Sequence, residues 1–580
     1  MNKRKYKDSF YEVREIADLR ELINSSVELH NNKPAFLVKD KPGGEYKPIS
    51  YGQFSLDINA LGTVFLEMGL KGKKIAVIGE NSYEWVVAYL ATVNGTGIVV
   101  PIDRELAPRE IANLLNRSGA NALVYSHKMK ETIEEVLPLA TEHLEHKIRM
   151  GIEEDGDETP TLYRLIQEGK KSIAEGNTSF LDAEIDREGL CSLLFTSGTT
   201  GMAKGVMLSH KNIVANVYNM SKYVKIIENG VGLSVLPMHH SYEMTCHVLT
   251  GLYQGITIAI CEGLKHIQKN LQESRTTVML GVPLIFESMH KKVMKSAEAS
   301  GQLKKIRRAL SLSRKLKLYN NQGLMRTIFK QVHETTGNNV WQFIAGGAAI
   351  NPKVIEDFEA MGFPMIQGYG MTENAPIIAV NRDRYSKAAS VGRPMPGTEV
   401  KIVDPDETGM GEIICKGPSV MLGYYDDPEE TKKVIRDGWL YTGDYGHLDD
   451  EGFLYISGRK KNVIVTKNGK NIFPEEVEFY LSESEYIAEA LVHGVEDGRT
   501  GDTVIKAEIF PNYELVNSKL GSPGEEEIEA FIKDEVDRIN EQMPLYKRVR
   551  RVAIRKTEFE KTTTRKIKRH ISANMTKDEE

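Results

Sequence analysis

An α/β fold in at least two domains is what this sequence predicts, and three observations predict it. Apolar runs of strand length alternate with helical patterns through the N-terminal part of the chain. From Gly411 onward the pattern changes to short strands and turns. The chain also has 580 residues, more than one ordinary hydrophobic core accommodates.

The elements follow in order. Lys74–Glu80 (KIAVIGE) reads as a buried strand and Ser82–Val93 as the helix after it. Gly97–Pro101 (GIVVP) is a second short apolar run, Pro108–Arg117 a helix, and Ala122–Tyr125 (ALVY) a further strand. Such alternation builds βαβ units around a mainly parallel sheet. The polar stretch Glu153–Thr159 predicts a surface loop. After Gly411 come GEIICKG, GWLYTGDYG and GFLYISGR. Beyond Arg459 the chain has its own strand and helix pattern, with helices expected at Glu475–Leu481 and Glu525–Ile539. The expected boundary therefore separates a large domain, 1–459, from a small one, 460–580.

Composition narrows the class. With 41% apolar and 27% charged residues, the chain reads as an ordinary globular protein. Cys191, Cys246, Cys261 and Cys415 are too few and too dispersed for a disulfide framework or a zinc motif, which suits a reducing compartment. The first residues, MNKRKYKDSFYEV, lack the apolar run of a signal peptide, and no segment approaches the roughly 20 apolar residues of a membrane span. A cytoplasmic protein is expected. The formal charge of −6 argues against bulk nucleic-acid binding.

The strongest local signal is Leu193–Gly205, LLFTSGTTGMAKG. An apolar strand runs into a loop of threonine, serine and glycine and then a lysine. Glycines let backbone N–H groups approach an anion, hydroxyls add donors, and Lys204 adds a mobile positive charge, so the loop suits a polyphosphate. It is not a Walker loop. The histidines of LPMHHSYEMTCH (His239, His240 and His247, with Glu243 between) have no spacing that matches a familiar zinc motif.

TSGTTGMAKG resembles the phosphate loop of the adenylate-forming superfamily, which includes acyl-CoA synthetases, peptide-synthetase adenylation domains and firefly-type luciferases. Four further segments match in the expected order: Gln367–Glu373 (QGYGMTE), Tyr441–Asp444 (YTGD), Gly458–Pro474 (GRKKNVIVTKNGKNIFP) and Thr562–Arg569 (TTTRKIKR). Together with the N-terminal region they cover nearly the whole chain.

The resemblance implies a large N-terminal domain of α/β subdomains with a small, mobile α+β C-terminal domain. It also implies a set of roles. Thr196, Ser197, Gly198, Thr199, Thr200, Gly201 and Lys204 would cradle the phosphates of ATP. Gly347 and Ala348, in GGAA, would admit adenine. Gln367, Gly368, Tyr369 and Gly370 would line the nucleotide, with the ring of Tyr369 against adenine. Thr372 would offer a hydroxyl to the α-phosphate, and Glu373 an oxygen ligand to Mg²⁺. Asp444 would accept both ribose hydroxyls, and Arg459 would reach ribose and phosphate. His240 would close the carboxylate end of the acyl pocket, and Lys461 would mark the hinge. Lys566 would touch the carboxylate and the α-phosphate and so carry adenylation. Arg565 stands where the family usually has glycine and Ala203 where proline is common; Lys568 is the other lysine of the segment.

The implied reaction joins a carboxylic acid to coenzyme A. Acid and MgATP give acyl-AMP and pyrophosphate, and a thiol then displaces AMP. The segment GVPLIFESMHKKV and the insertion after it are similar to the long-chain fatty acyl-CoA synthetase branch, which implies a medium-to-long fatty acid. An aryl or short-chain acid, an acyl-carrier-protein acceptor, and a silent lipid-binding protein on this fold are the alternatives. Finally, 291–331 is rich in Lys and Arg, with Ile306, Leu310, Leu316, Leu324, Ile328 and Phe329 at near-helical spacing. It reads either as a basic hairpin on a membrane surface or as an insertion packed on its own domain.

Overall fold

The computed structural model describes residues 10–140, 143–151, 159–196, 203–383, 385–465, 471–497, 503–561, 567–569 and 571. It divides into two compact units: Met1–Val400 with Cys415–Leu440, and Lys401–Ile414 with Tyr441–Glu580. The second unit thus begins earlier in the chain than the expected boundary between residues 459 and 460.

Two sheets organise the first unit. A seven-stranded sheet runs in the order Gly423–Tyr424, Lys204–Ser209, Leu190–Thr196, Ile98–Ile102, Lys74–Ile78, Ala122–Tyr125, His146–Arg149. The expected N-terminal βαβ pattern is there and its strands pair in parallel, Lys74–Ile78 lying between Ile98–Ile102 and Ala122–Tyr125. The second strand begins at Ile98 and continues to Ile102. Local chemistry starts the helices between them. Ser82 Oγ accepts the N–H of Trp85 to open Tyr83–Ala91, and Pro108 opens Pro108–Ser118, where the missing N–H costs nothing. The loop expected at Glu153–Thr159 lies, apart from Thr159, outside the described residues.

A nine-stranded sheet runs Arg393–Pro394, Ile377–Val380, Met365–Gly370, Gln342–Ala345, Val278–Gly281, Val231–Ser234, Thr257–Ile260, Pro34–Val38, Lys47–Ser50. Alternation along its central strands divides the core. Leu280, Ile344 and Ile366 face one apolar cluster, and Met279, Phe343 and Met365 face another built on Phe286, Phe358 and Phe363.

The basic insertion is not a hairpin. It is a run of helices: Pro283–Ala299, Leu303–Leu316, Gln322–Ile328 and Lys330–Thr335. Its stripe is divided between core and solvent. Leu310 and Phe329 are buried in the second cluster and Ile306 packs against it, while Leu316, Leu324 and Ile328 are exposed. Within Leu303–Leu316 the side that carries Ile306, Leu310 and Ser313 meets the core, and Leu316 at the end of the helix does not.

The second unit holds a three-stranded sheet, Ile487–Glu496, Thr503–Pro511 and Val549–Ile554. The helices Pro474–Ser482 and Glu525–Asn540 bury Val477, Leu481, Ile532 and Val536 in its core. Both expected helices are present, each one residue longer at one end or both.

Candidate active site

In the first unit the expected residues gather at the C-terminal ends of parallel strands. Val278–Gly281, Gln342–Ala345 and Met365–Gly370 run side by side, with Ala345 opposite Gln367, so GGAA and QGYGMTE leave the sheet as neighbours. Ligands of open α/β sheets bind at such carboxyl ends. Gly346 donates its N–H to Gly281 O at 3.1 Å and packs against Tyr242. A Cβ there would lie 2.6 Å from Tyr242 Cζ, so only glycine fits. Gly347 and Ala348 follow on the exposed side. The side chain of Gln367 donates to Ala388 O at 2.6 Å, Gly368 pairs with Val380, and Gly370 lies against the Pro376 carbonyl. Tyr369 is half-buried, packed on the core, and Thr372 opens a short turn of helix, Thr372–Asn374.

The phosphate-loop lysine and the motif glutamate are joined through a residue that no motif named. Thr196 and Lys204 face each other as antiparallel partners. The Lys204 ammonium sits 4.9 Å from the Tyr424 ring centroid and ion-pairs with Glu430, whose carboxyl is held below its usual range first by that bond. The Tyr424 hydroxyl donates to Glu373 Oε1 at 2.9 Å. Met421 N–H donates to the Glu373 carbonyl at 2.9 Å, which ties the glutamate backbone to the same segment. Residues 197–202, including Ser197, Gly198, Thr199, Thr200 and Gly201, lie outside the described residues.

His240 is half-buried at the start of a helical segment, its ring 4.2 Å from that of His239. Burial pushes His239 down to about 3, so it is neutral. His247 is fully buried and hydrogen-bonded to the equally buried Glu243 at 2.8 Å. That histidine belongs to the core. Among the described residues no group of three or more His, Cys, Asp or Glu is placed to hold a metal by itself. Glu373 fits a Mg²⁺ that arrives with a nucleotide, because Mg²⁺ commonly takes one or two carboxylates together with phosphate oxygens. The Tyr424 hydroxyl holds that carboxylate in one orientation.

The second unit positions the remaining residues by itself. Asp444 and Arg459 are cross-strand partners on Trp439–Leu448 and Leu454–Arg459, with Arg459 Nε 2.7 Å from Asp444 Oδ1. Asp444 is 4% exposed, so its charge needs that partner. Gly443, just before Asp444, takes φ +69°, a left-handed conformation that glycine adopts freely. Partial burial of the Lys461 ammonium, with Arg459 and Arg569 adding to it, holds its pKa below the ordinary lysine value. Arg569 ion-pairs with Glu478 and donates to Val492 O at 3.2 Å, and Lys568 N–H donates to Glu560 O at 2.9 Å. Lys566 lies outside the described residues.

Sequence reasoning missed Tyr424, Glu430 and Tyr242. Tyr424 is 51 residues from the glutamate it contacts, and GYYDD carries no chemistry readable in isolation.

The sequence profile of the AMP-binding enzyme family matches residues 23–425, and that of the AMP-binding enzyme C-terminal domain matches residues 461–579. The chain is 29% identical over 474 residues to a long-chain-fatty-acid–CoA ligase of Salmonella typhimurium, covering 76% of this chain and 77% of that one. It is 30% identical over 516 residues to long-chain-fatty-acid–CoA ligase 5 of Rattus norvegicus, covering 82% and 73%. Among solved structures, the anthranilate CoA ligase AuaEII in complex with anthranoyl-AMP superposes with a TM-score of 0.75 at 21% identity, over 98% of this chain and 97% of that one. The Mycobacterium tuberculosis fatty acyl CoA synthetase gives 0.64 at 20% identity, over 95% and 96%.

Proposed function

The chain belongs to the AMP-binding enzyme family, and from that premise we propose that it is an ATP-dependent fatty acid–CoA ligase acting on medium-to-long-chain acids through an acyl-adenylate. The observation that carries this reading is the Lys204–Tyr424–Glu373 chain beside the carboxyl ends of the central strands. It presents a cation for phosphate and, within the same unit, an oriented carboxylate.

A carboxylate attacking the α-phosphorus of ATP meets charge repulsion. Lys204 offsets the phosphate charge, and Thr372 offers a hydroxyl to the phosphoryl oxygen. Glu373 would hold Mg²⁺, which would supply positive charge against the phosphates. Tyr369, Gly347, Ala348, Gln367, Gly368 and Gly370 take the adenine side. Asp444 and Arg459 take the ribose. His240 closes the carboxylate end of the acyl pocket, Lys566 serves adenylation, and Lys461 is the hinge at which residues 460–580 turn between half-reactions. The mixed anhydride makes AMP a good leaving group when the thiol of coenzyme A attacks the acyl carbon. The test is pyrophosphate release over a panel of acids. Release with fatty acids, followed by AMP and thioester only when coenzyme A is added, is expected. Release with aryl acids alone, or with none, would remove the assignment.

A second part concerns location. No described helix is long and apolar enough to cross a membrane. We propose a peripheral contact through 291–331, where Leu312, Leu316, Leu324 and Ile328 are exposed among Lys304, Lys305, Arg307, Arg308, Lys315 and Lys317. Arg314 is engaged elsewhere, 3.0 Å from Asp357. Near an anionic surface each free charge contributes about 1 kcal/mol, less as salt rises. Co-sedimentation with anionic vesicles at low salt is expected, and its absence there would make this segment purely structural.

A further inference from the structure

The nine-stranded sheet has a second cleft, on the face away from Tyr242. Four helices border it: α1 (Ile267–Glu273), α2 (Pro283–Ala299), α3 (Leu303–Leu316) and α4 (Lys330–Thr335). Its volume is about 1130 Å³, at the upper end of or beyond the usual ligand pocket. The floor is apolar, made by Ile267, Leu271, Val293, Ile306, Val332 and Phe358. Leu271 and Phe358 are almost wholly buried, so the floor is recessed beneath the helices. Phe358 belongs to the aromatic layer with Phe286 and Phe343, and that layer and the sheet separate the cleft from the strand face of Ile344, on which Tyr242 packs.

The rim carries a different chemistry. Lys265, Lys292, Lys305 and Lys330 line it, against a single carboxylate, Glu334, which lies 3.6 Å from Lys330. Lys292 donates to the amide oxygen of Gln268 at 2.6 Å, and no carboxylate contacts Lys265, Lys292 or Lys305 among the described residues. Several uncompensated cations above an apolar trough match a molecule with one anionic end and a long apolar body. An inorganic anion would leave the floor wet. A bilayer surface cannot reach a floor recessed behind four helices, so the occupant is a single amphiphile that has left the bilayer.

We propose that this cleft binds a second, unreacting long-chain fatty acid, its chain on the Ile267–Phe358 floor and its carboxylate at Lys292 and Lys305. The proposal goes beyond the ligase reading and rests on it only in calling this fatty acid the second.

The test uses the full chain with its reactive site saturated by a non-hydrolysable acyl-sulfamoyl adenosine. It is titrated with cis-parinaric acid below its micelle-forming concentration and without vesicles. One further equivalent is expected to bind and to be displaced by free oleic acid, but not by its neutral methyl ester. The double charge reversal K292E/K305E is expected to weaken that equivalent by about tenfold or more, the scale of a lost charge-assisted hydrogen bond. A309W, which fills the cleft, is expected to abolish it, and both variants should adenylate a short soluble acid as wild type does. The charge reversal lies on the exposed rim and keeps the test readable if A309W fails to fold. Absence of residual binding under saturation would overturn the proposal, as would residual binding indifferent to charge reversal or displaced equally by the methyl ester. Failure of the ligase reading would appear separately, as absent pyrophosphate release, and the charge-reversal and A309W variants would still locate the bound acid in the cleft.

Discussion

Placing a methyl group on Gly346 tests the packing of Tyr242 against the loop that follows Gln342–Ala345. Gly346 is buried, and its Cβ would lie 2.6 Å from Cζ, 2.7 Å from the hydroxyl oxygen and 3.1 Å from Cε1 of Tyr242. Ordinary contact begins near 3.4 Å, so the ring must retreat by several tenths of an ångström. It has little room to do so. Tyr242 packs on the large core, its hydroxyl donates to Ile344 O at 3.3 Å, and the cavity beyond, lined by Cys246, Leu280 and Val380, is only about 20 Å³, roughly one water. Overpacking of this kind costs about 1–3 kcal/mol. G346A should lose that much stability in urea denaturation. Y242L removes the two nearest atoms and costs about 1 kcal/mol or more by itself, through lost packing. In the double variant the clash is gone. Its loss should therefore fall short of the sum of the two single losses by about 1–2 kcal/mol, within the usual range for residues in contact. Additivity within about 0.5 kcal/mol would refute the reasoning, because it would mean the ring and the glycine do not share that space.

Four further outcomes are expected. Y424F keeps the ring beneath Lys204 but removes the hydroxyl on Glu373, so the Mg²⁺ concentration for half-maximal adenylation should rise about tenfold, the scale of a hydrogen bond to a charged group. D444A removes the proposed ribose acceptor together with its ion pair to Arg459; directly measured ATP affinity should fall by roughly tenfold or more, and unchanged affinity would end the ribose role. K566A should slow acyl-AMP formation by on the order of a hundredfold while thioester formation from supplied acyl-AMP persists, so equal damage to both half-reactions counts against the assignment. Glu359 is raised from 4.5 to about 7, first by burial and then by Glu356, so the folded state binds its proton more tightly than the unfolded state does. Its contribution to stability should therefore decline as pH rises from about 4.5 to about 7. Wild type should lose stability relative to E359Q across that window, by no more than about 1.4 kcal/mol per pH unit, and parallel curves would contradict it.

The elements that sequence alone disclosed share one property: their signal is local. KIAVI and ALVY are apolar on both faces because helices cover both, and they appear as strands Lys74–Ile78 and Ala122–Tyr125. Pro108 announces the helix it opens. The five motif segments resemble one family because each is a short stretch whose side chains and glycines are needed together, and the fold class and ligase chemistry follow from them. Charge and apolar spacing over 291–331 could not say which apolar residues face inward. Leu310 and Leu316 occupy the same helix, yet one is buried and the other exposed, because burial depends on which neighbour the helix meets.

Tertiary structure decided the rest, for the same reason in each case: the partners are distant in sequence and carry no signal of their own. Tyr424 joins Lys204 to Glu373 because Gly423–Tyr424 pairs with Val206 and Met207 at the sheet edge. Gly346 must be glycine because Tyr242, from another segment, occupies the space of its side chain. Asp444 finds Arg459 through cross-strand register, which a single strand cannot specify. The lysine-rimmed cleft exists only where four helices fail to close over Phe358. A sequence determines which groups are available and which short segments hold them; distances between those segments arise only when the chain packs.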